Sequence, residues 1–227
     1  MNVELHTLAW PNIDPRMIAA HQRVCSHFGL DVRYTHEYIQ HDQWMQDMVA
    51  RCQADAIGFM DIDCIQSTRH AVDHMATYLT QKLGYFIGPA QASNHLPDTA
   101  HIFAAPSFLF ISKSMFMPIQ MNNLFMRDPD KNDVAQGLTR YAEENRYPHQ
   151  LILPRFYEDK ANMRSTWRLH NFGTYGTGTL YGNTCYHLFQ GRCGANVELF
   201  ERRCDEIIRG GIDTSRMMLF NFQGWSR

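Results

Sequence analysis

The first thirty-five residues constrain the fold more than any other part of the chain. Val3, Leu5, Thr7 and Ala9 share one face of an extended segment, as a half-buried strand requires. Asp14 and Pro15 then open a helix, the carboxylate as N-cap and the proline at the first helical position. Met17, Ile18, His21, Val24, Cys25 and Phe28 recur at helical spacing, and Gly29 ends the run. Asp31-Val32-Arg33-Tyr34 returns to strand. Strand, helix and strand in this order imply a parallel sheet.

The next informative stretch is Ala56-Ile57-Gly58-Phe59-Met60, a buried strand that runs straight into Asp61-Ile62-Asp63. Residues two apart on a strand share a face, so the two acids point the same way, or converge if the chain bends. Side by side they repel, and one is driven up in pKa unless a cation joins them. A Mg²⁺ or Mn²⁺ holding a substrate diphosphate meets that need, and ligands of open α/β sheets sit beyond the carboxyl ends of the strands. The plainer alternative is a pair of solvated loop acids.

Further along, residues 42–52 form an amphipathic helix, and Ser67 caps a third one whose Val72, Met75, Ala76, Leu79 and Leu83 turn inward. Residues 85–88 make a short strand, residues 89–105 a polar loop, and residues 104–111 a central strand. Residues 115–126 show no clear period. Asn132 or Asp133 caps a helix reaching Ala142, and residues 151–154 are a short strand. Residues 161–184, rich in Gly, Thr, Asn and Tyr, read as a long flexible loop, functional or mobile. A last helix covers residues 195–208, and a short tail follows. With no repeat and no linker, the 227 residues read as one α/β domain with a mostly parallel central sheet flanked by helices.

Composition narrows the function classes. The formal net charge of -2 and a pI near 6.6 give no global case for nucleic acid or anionic membrane. A local patch of Arg51, Arg69, Lys113, Arg127 and Lys131 stays open. No apolar window is long enough to span a membrane, and the N-terminus lacks the pattern of a secretory signal. The six cysteines form no CxxC, which suits reduced thiols in a cytoplasm. The twelve histidines show no HExxH.

Taken together, the strand-helix order, the Asp61-Ile62-Asp63 motif and the late His187 resemble the nucleotide-sugar half of a GT-A fold glycosyltransferase. His187 stands in Tyr186-His187-Leu188-Phe189-Gln190-Gly191-Arg192, after the glycine-rich stretch. The resemblance implies a metal site of Asp61, Asp63 and His187 holding Mn²⁺ or Mg²⁺ against the donor diphosphate. It implies a donor site of Thr7, Leu8, Ala9, Trp10, Asn12, Asp61, Ile62 and Asp63, with residues 1–110 as the nucleotide half and residues 111–227 as the acceptor half. Arg164, Arg168 or Arg192 would neutralise phosphate. Gln91, Asn94, His95 and His170 would line the sugar or acceptor pocket, and Asp133 would be the general base. Plainer roles stand beside these: a strand histidine for His187, a helix N-cap for Asp133, a packing residue for Trp10.

The activity implied is sugar transfer from a nucleotide-diphosphate sugar, a UDP-sugar first, to an unidentified acceptor hydroxyl. The acceptor class runs from glycan, protein or small molecule to a modified nucleic-acid base. Nucleotidyl transfer with Mg²⁺ at the same acids, or non-catalytic nucleotide-sugar binding, are the alternatives. Nucleotidyl transfer calls for an early glycine-rich basic loop, which Trp10-Pro11-Asn12-Ile13-Asp14 does not supply.

Overall fold

The computed structural model describes residues 1–81, 83–96, 101–158, 166–189, 191 and 195–222. In chain order the elements are β1 (Val3–Leu8), α1 (Pro15–His27), β2 (Val32–Thr35), α2 (His41–Arg51), β3 (Ala56–Met60), β4 (Cys64–Gln66), α3 (Ala71–Thr80), β5 (Phe86–Ala92), β6 (Ile102–Ala104), β7 (Phe108–Ser112), α4 (Phe116–Asn122) and α5 (Gln136–Glu144). They continue as β8 (Gln150–Ile152), β9 (Pro154–Glu158), β10 (Thr166–Arg168), β11 (Thr174–Gly176), β12 (Gly178–Tyr181), β13 (Cys185–Leu188), α6 (Ala195–Ile208) and β14 (Met217–Leu219).

Seven strands form the main sheet in the order β2-β1-β3-β7-β5-β6, with β8 paired to β5. The opening β1-α1-β2 unit is parallel as expected, and β3 lies parallel to β1 on its other side. β7 is antiparallel to both β3 and β5, β6 is antiparallel to β5, and β8 is parallel to β5. Five of the seven strands therefore run the same way. A second sheet, β14-β9-β12-β13-β4, is antiparallel throughout, and β10 pairs with β11 as a separate hairpin.

Strand alternation sorts the core. Ile57 and Phe59 of β3, with Leu109 and Ile111 of β7, face Trp44, Met45 and Val49 of α2. Ala56, Met60, Phe108 and Phe110 face the other way, onto Cys25 of α1 and Met75 and Leu79 of α3. Helices thus cover both faces of β3 and β7, which is why those strands read as unbroken apolar runs. Each fully buried large side chain contributes about 1.5–3 kcal/mol. α1 is capped as the sequence indicates: the Asp14 carboxylate accepts the Arg16 N–H at 2.9 Å, and Pro15 stands at the first turn.

Several expectations need correction. Residues 166–184 are ordered strand and turn, not a flexible loop; residues 161–165 lie outside the described residues. Aromatic and branched residues build these strands, and Tyr175, Thr179 and Tyr181 are wholly buried. The polar loop at 89–105 is shortened because β5 continues to Ala92 and β6 follows. Ser67 sits at the end of β4, not at a helix cap, and α3 begins at Ala71. Leu83 lies beyond α3 and is 56% exposed. Residues 115–126 contain α4, and the tail adds β14. Asp133 does not cap α5; Ala135 does, in the left-handed conformation at φ 63°.

Candidate metal and substrate cleft

β1, β3 and β5 run in one direction, so Leu8, Met60 and Gln91 reach the same edge of the main sheet. A cleft of about 310 Å³ opens there. It is lined by Leu8, Trp10, Ile13, His41, Asp61, Ile62, Asp63, Gln91, Pro106, Ser107, Asp133, Val134, Trp167, His187 and Phe189. The location is the one expected for ligands of open α/β sheets.

Asp61, Ile62 and Asp63 bridge the two sheets, leaving β3 of the first and entering β4 of the second. The bridge is pinned by the Asp61 N–H to the Ser107 carbonyl at 2.9 Å and by the Cys64 N–H to the Asp61 carbonyl at 2.8 Å. Ile62 packs with Ala9, Ile13 and Met17 in the core beneath the cleft. With the middle residue anchored below, the acids on either side emerge together.

His187 arrives from the far end of the sequence by strand register. β13 pairs with β4 so that His187 stands opposite Cys64, and the Leu188 N–H donates to the Asp63 carbonyl at 2.9 Å. His187 Nε2 comes to 3.4 Å from Asp63 Oδ1. The ring lies 3.9 Å from the Phe189 ring, centroid to centroid, and its Nδ1 is buried without a hydrogen bond among the described residues. One ligand atom from each of Asp61, Asp63 and His187 falls within 4.8 Å of the others.

The donor set suits a divalent cation. Six-coordination at roughly 2.1 Å places adjacent ligand atoms about 3 Å apart and opposite ones about 4.2 Å apart. Two carboxylates and an imidazole match Mn²⁺ or Mg²⁺ chemistry. Gly191 completes the wall. Its N–H donates to Asp63 Oδ2 at 3.2 Å, and a side-chain carbon on it would come within 2.7 Å of Asp63 Cβ and 2.8 Å of Met17 Cε. His41, at the start of α2, brings Nε2 to 3.2 Å from Asp61 Oδ1, outside hydrogen-bond alignment, with its ring stacked near Trp44.

Of the residues read from sequence, Leu8, Trp10, Asp61, Ile62, Asp63, Gln91, Asp133 and His187 line the cleft. The Trp10 indole N–H is held by the Ile39 carbonyl at 2.8 Å. Val134 N–H donates to Asp133 Oδ1 at 2.9 Å, and Ser93 Oγ lies 3.2 Å from Asp133 Oδ2. Thr7 and Ala9 are buried beneath the cleft and do not line it, because they point into the sheet's packing. Asn12, His95 and His170 are exposed outside it, on turns that carry them to solvent. Asn94 is structural: its Oδ1 accepts the Arg168 N–H at 2.6 Å, and its amide donates to the Arg168 carbonyl at 2.9 Å. Arg168 is exposed outside the cleft, and Arg164 and Arg192 lie outside the described residues.

Ile13, His41, Pro106, Ser107, Val134, Trp167 and Phe189 also line the cleft without having been read as site residues, and Gly191 touches Asp63 from outside the lining. Trp167 was hidden in the stretch read as a loop, and His41 gave no signal beyond its place at a helix start.

No protein-family model matches the chain, and no curated protein matches its sequence. Among solved structures, A197 from STIV superposes with a TM-score of 0.45 at 9% identity, over 84% of this chain and 95% of that one. A glycosyltransferase involved in glycosylation of the major capsid of PBCV-1 gives 0.42 at 13% identity, over 67% of this chain and 81% of that one. CMP:2-keto-3-deoxy-manno-octonic acid synthetase with CTP gives 0.43 at 9% identity, over 67% and 90%. None of the three reaches a TM-score of 0.5, so none of them carries a statement about what this chain does.

Proposed function

We propose that the protein is a metal-dependent glycosyltransferase that takes a nucleotide-diphosphate sugar, a UDP-sugar first, and passes the sugar to an acceptor hydroxyl. The observation that carries this reading is the meeting of Asp61, Asp63 and His187 at the carboxyl edge of a largely parallel sheet. These three would hold Mn²⁺ or Mg²⁺. When bound, the cation supplies charge stabilisation for the departing diphosphate.

The remaining roles fall to the chain itself. Trp10, fixed through its indole N–H, offers a rigid ring face to a base beside β1. Gly191 N–H and the β4–β13 register keep Asp63 and His187 oriented before substrate arrives. Asp133 would act as general base, taking the acceptor hydroxyl's proton in an inverting transfer; its Oδ1 accepts from Val134 N–H and its Oδ2 from the Ser93 hydroxyl, which would have to share or yield that oxygen. Residues 1–110 would bind the nucleotide, and residues 111–227 would shape the acceptor side.

The test is product analysis with a panel of nucleotide sugars, with Mn²⁺ or with chelator. Metal-dependent release of nucleoside diphosphate supports glycosyl transfer. Release of pyrophosphate from a nucleoside triphosphate and a sugar phosphate would replace it with nucleotidyl transfer. Binding without turnover would reduce the protein to a nucleotide-sugar receptor.

A further inference from the structure

One wall of the cleft is a pile of aromatic rings that the metal site does not use. Trp167 lies 4.8 Å from Phe189, centroid to centroid and tilted 33°, and 6.2 Å from Tyr175 at 28°. Phe189 in turn rests against His187. The pile therefore runs from the metal-ligating imidazole to Trp167. Tyr175 is wholly buried behind it, whereas Trp167 stays partly open and lines the cleft.

This wall is built, not incidental. β10, which carries Trp167, is a three-residue strand, and Asn94 grips the backbone of its last residue twice, at 2.6 and 2.9 Å. Asn94 lies just past the end of β5, whose Gln91 also lines the cleft. One side-chain clamp thus fixes Trp167 relative to Gln91. Asp133 lines the same cleft, its carboxylate steered by Val134 N–H and Ser93. An indole face, an amide and a carboxylate around one cleft are a carbohydrate-recognising set. The aromatic face takes the apolar C–H face of a pyranose, and the amide and carboxylate take hydroxyls.

We propose that Trp167 is the stacking platform of a pyranose subsite, with Gln91 and Asp133 as its hydroxyl partners. The inference rests on the glycosyltransferase reading for its purpose but not on the metal for its binding. The pyranose belongs either to the acceptor or to the donor.

The experiment is ligand-observed saturation-transfer NMR on the whole protein, followed by titration. One arm uses methyl hexopyranosides of gluco, galacto and manno configuration in chelator. The other uses UDP-hexoses with Mn²⁺. Transfer to ring C–H protons of a methyl glycoside identifies an acceptor sugar; transfer to the hexose protons of UDP-hexose alone identifies the donor sugar. Either outcome supports the subsite if Trp167→Ala weakens the binding tenfold or more while Trp167→Phe stays within about threefold. Wild-type affinity in Trp167→Ala overturns it. So does transfer confined to nucleobase protons, or no transfer to any sugar in either arm. Mn²⁺ titration of the same Trp167→Phe protein reads the metal site independently, so a failed metal site and a failed sugar subsite give different results.

Discussion

His187 Nε2 stands 3.4 Å from Asp63 Oδ1, and strand register rather than sequence proximity brings them together. β13 sets His187 opposite Cys64, the residue after Asp63. Imidazole and carboxylate are thereby carried on one antiparallel ladder, with Asp61 contributed by the end of the other sheet. A site assembled from the two sheets is preorganised to the extent that both sheets are rigid, which is what a metal site needs from its scaffold.

Gly191 tests how tightly that preorganisation is set. In Gly191→Ala the new methyl carbon would crowd Asp63 Cβ and Met17, both of them held in packed surroundings. Overpacking of this kind costs about 1–3 kcal/mol. Calorimetric titration should show Mn²⁺ affinity lowered by roughly tenfold or more, since orienting contacts are worth about 10–100-fold. Native affinity in this variant would mean Asp63 is not held where its carboxylate is needed.

His41 should act on the same centre from the other side. Its Nε2 faces Asp61 Oδ1 at 3.2 Å from a half-buried position. If Asp61 holds a cation, His41→Ala should weaken Mn²⁺ binding only modestly, because His41 Nε2 approaches Asp61 Oδ1 without an aligned hydrogen bond. Thermal unfolding should change little. A large drop in Tm with unchanged metal affinity would make His41 a packing residue for Trp44 instead.

The second sheet is tied to α6 by a buried ion pair. Arg203 Nε donates to Glu158 Oε1 at 2.8 Å and its terminal nitrogen to Oε2 at 2.9 Å, while Tyr186 O–H also donates to Oε1 at 2.8 Å. Removing the guanidinium strands a buried carboxylate, so Arg203→Ala should cost about 3–5 kcal/mol in urea unfolding. Replacing Glu158 and Arg203 together by apolar residues should cost less, because no fully buried charge is then left alone, although Glu206, which also accepts from Arg203 at 2.6 Å, loses that partner at a part-exposed position.

His21 gives the acid side of the stability profile. It is fully buried beside Tyr34, and burial pushes its pKa down from 6.5 to about 4. The folded state therefore binds fewer protons than the unfolded state between those values. Its contribution is complete above about pH 6.5 and is lost as pH falls toward 4, by roughly 3 kcal/mol. Urea unfolding of His21→Gln at pH 7 and pH 4 should show a smaller difference than the native protein by about that amount.

The parts of this fold legible in sequence were those in which one local rule decided the outcome. Asp14-Pro15 capped α1, the period of residues 195–208 marked α6, and the apolar run into Asp61 placed the acids at a strand end. Register was not legible. The pairing of β4 with β13, which gives His187 its neighbour, depends on contacts distant in sequence. The glycines of residues 173–178 read as loop, yet Gly178 is there because a side chain would collide with Tyr186 and Glu158. Trp167 is hidden for the same reason: the glycines and threonines that follow it give no strand period from which its burial or direction could be placed. Asn94 has the amide that suits a sugar hydroxyl, but both of its ends are taken by the Arg168 backbone, a pairing set by contacts distant in sequence.

The central claim is that Asp61, Asp63 and His187 hold the cation that holds the donor. Calorimetric titration of a UDP-sugar into native and Asp63→Ala protein, each with Mn²⁺ and with chelator, tests it most directly, with circular dichroism to show that the variant folds. The account predicts binding that depends on Mn²⁺ in the native protein and is abolished in a folded Asp63→Ala variant. Equal donor affinity in the two proteins with Mn²⁺ would contradict it.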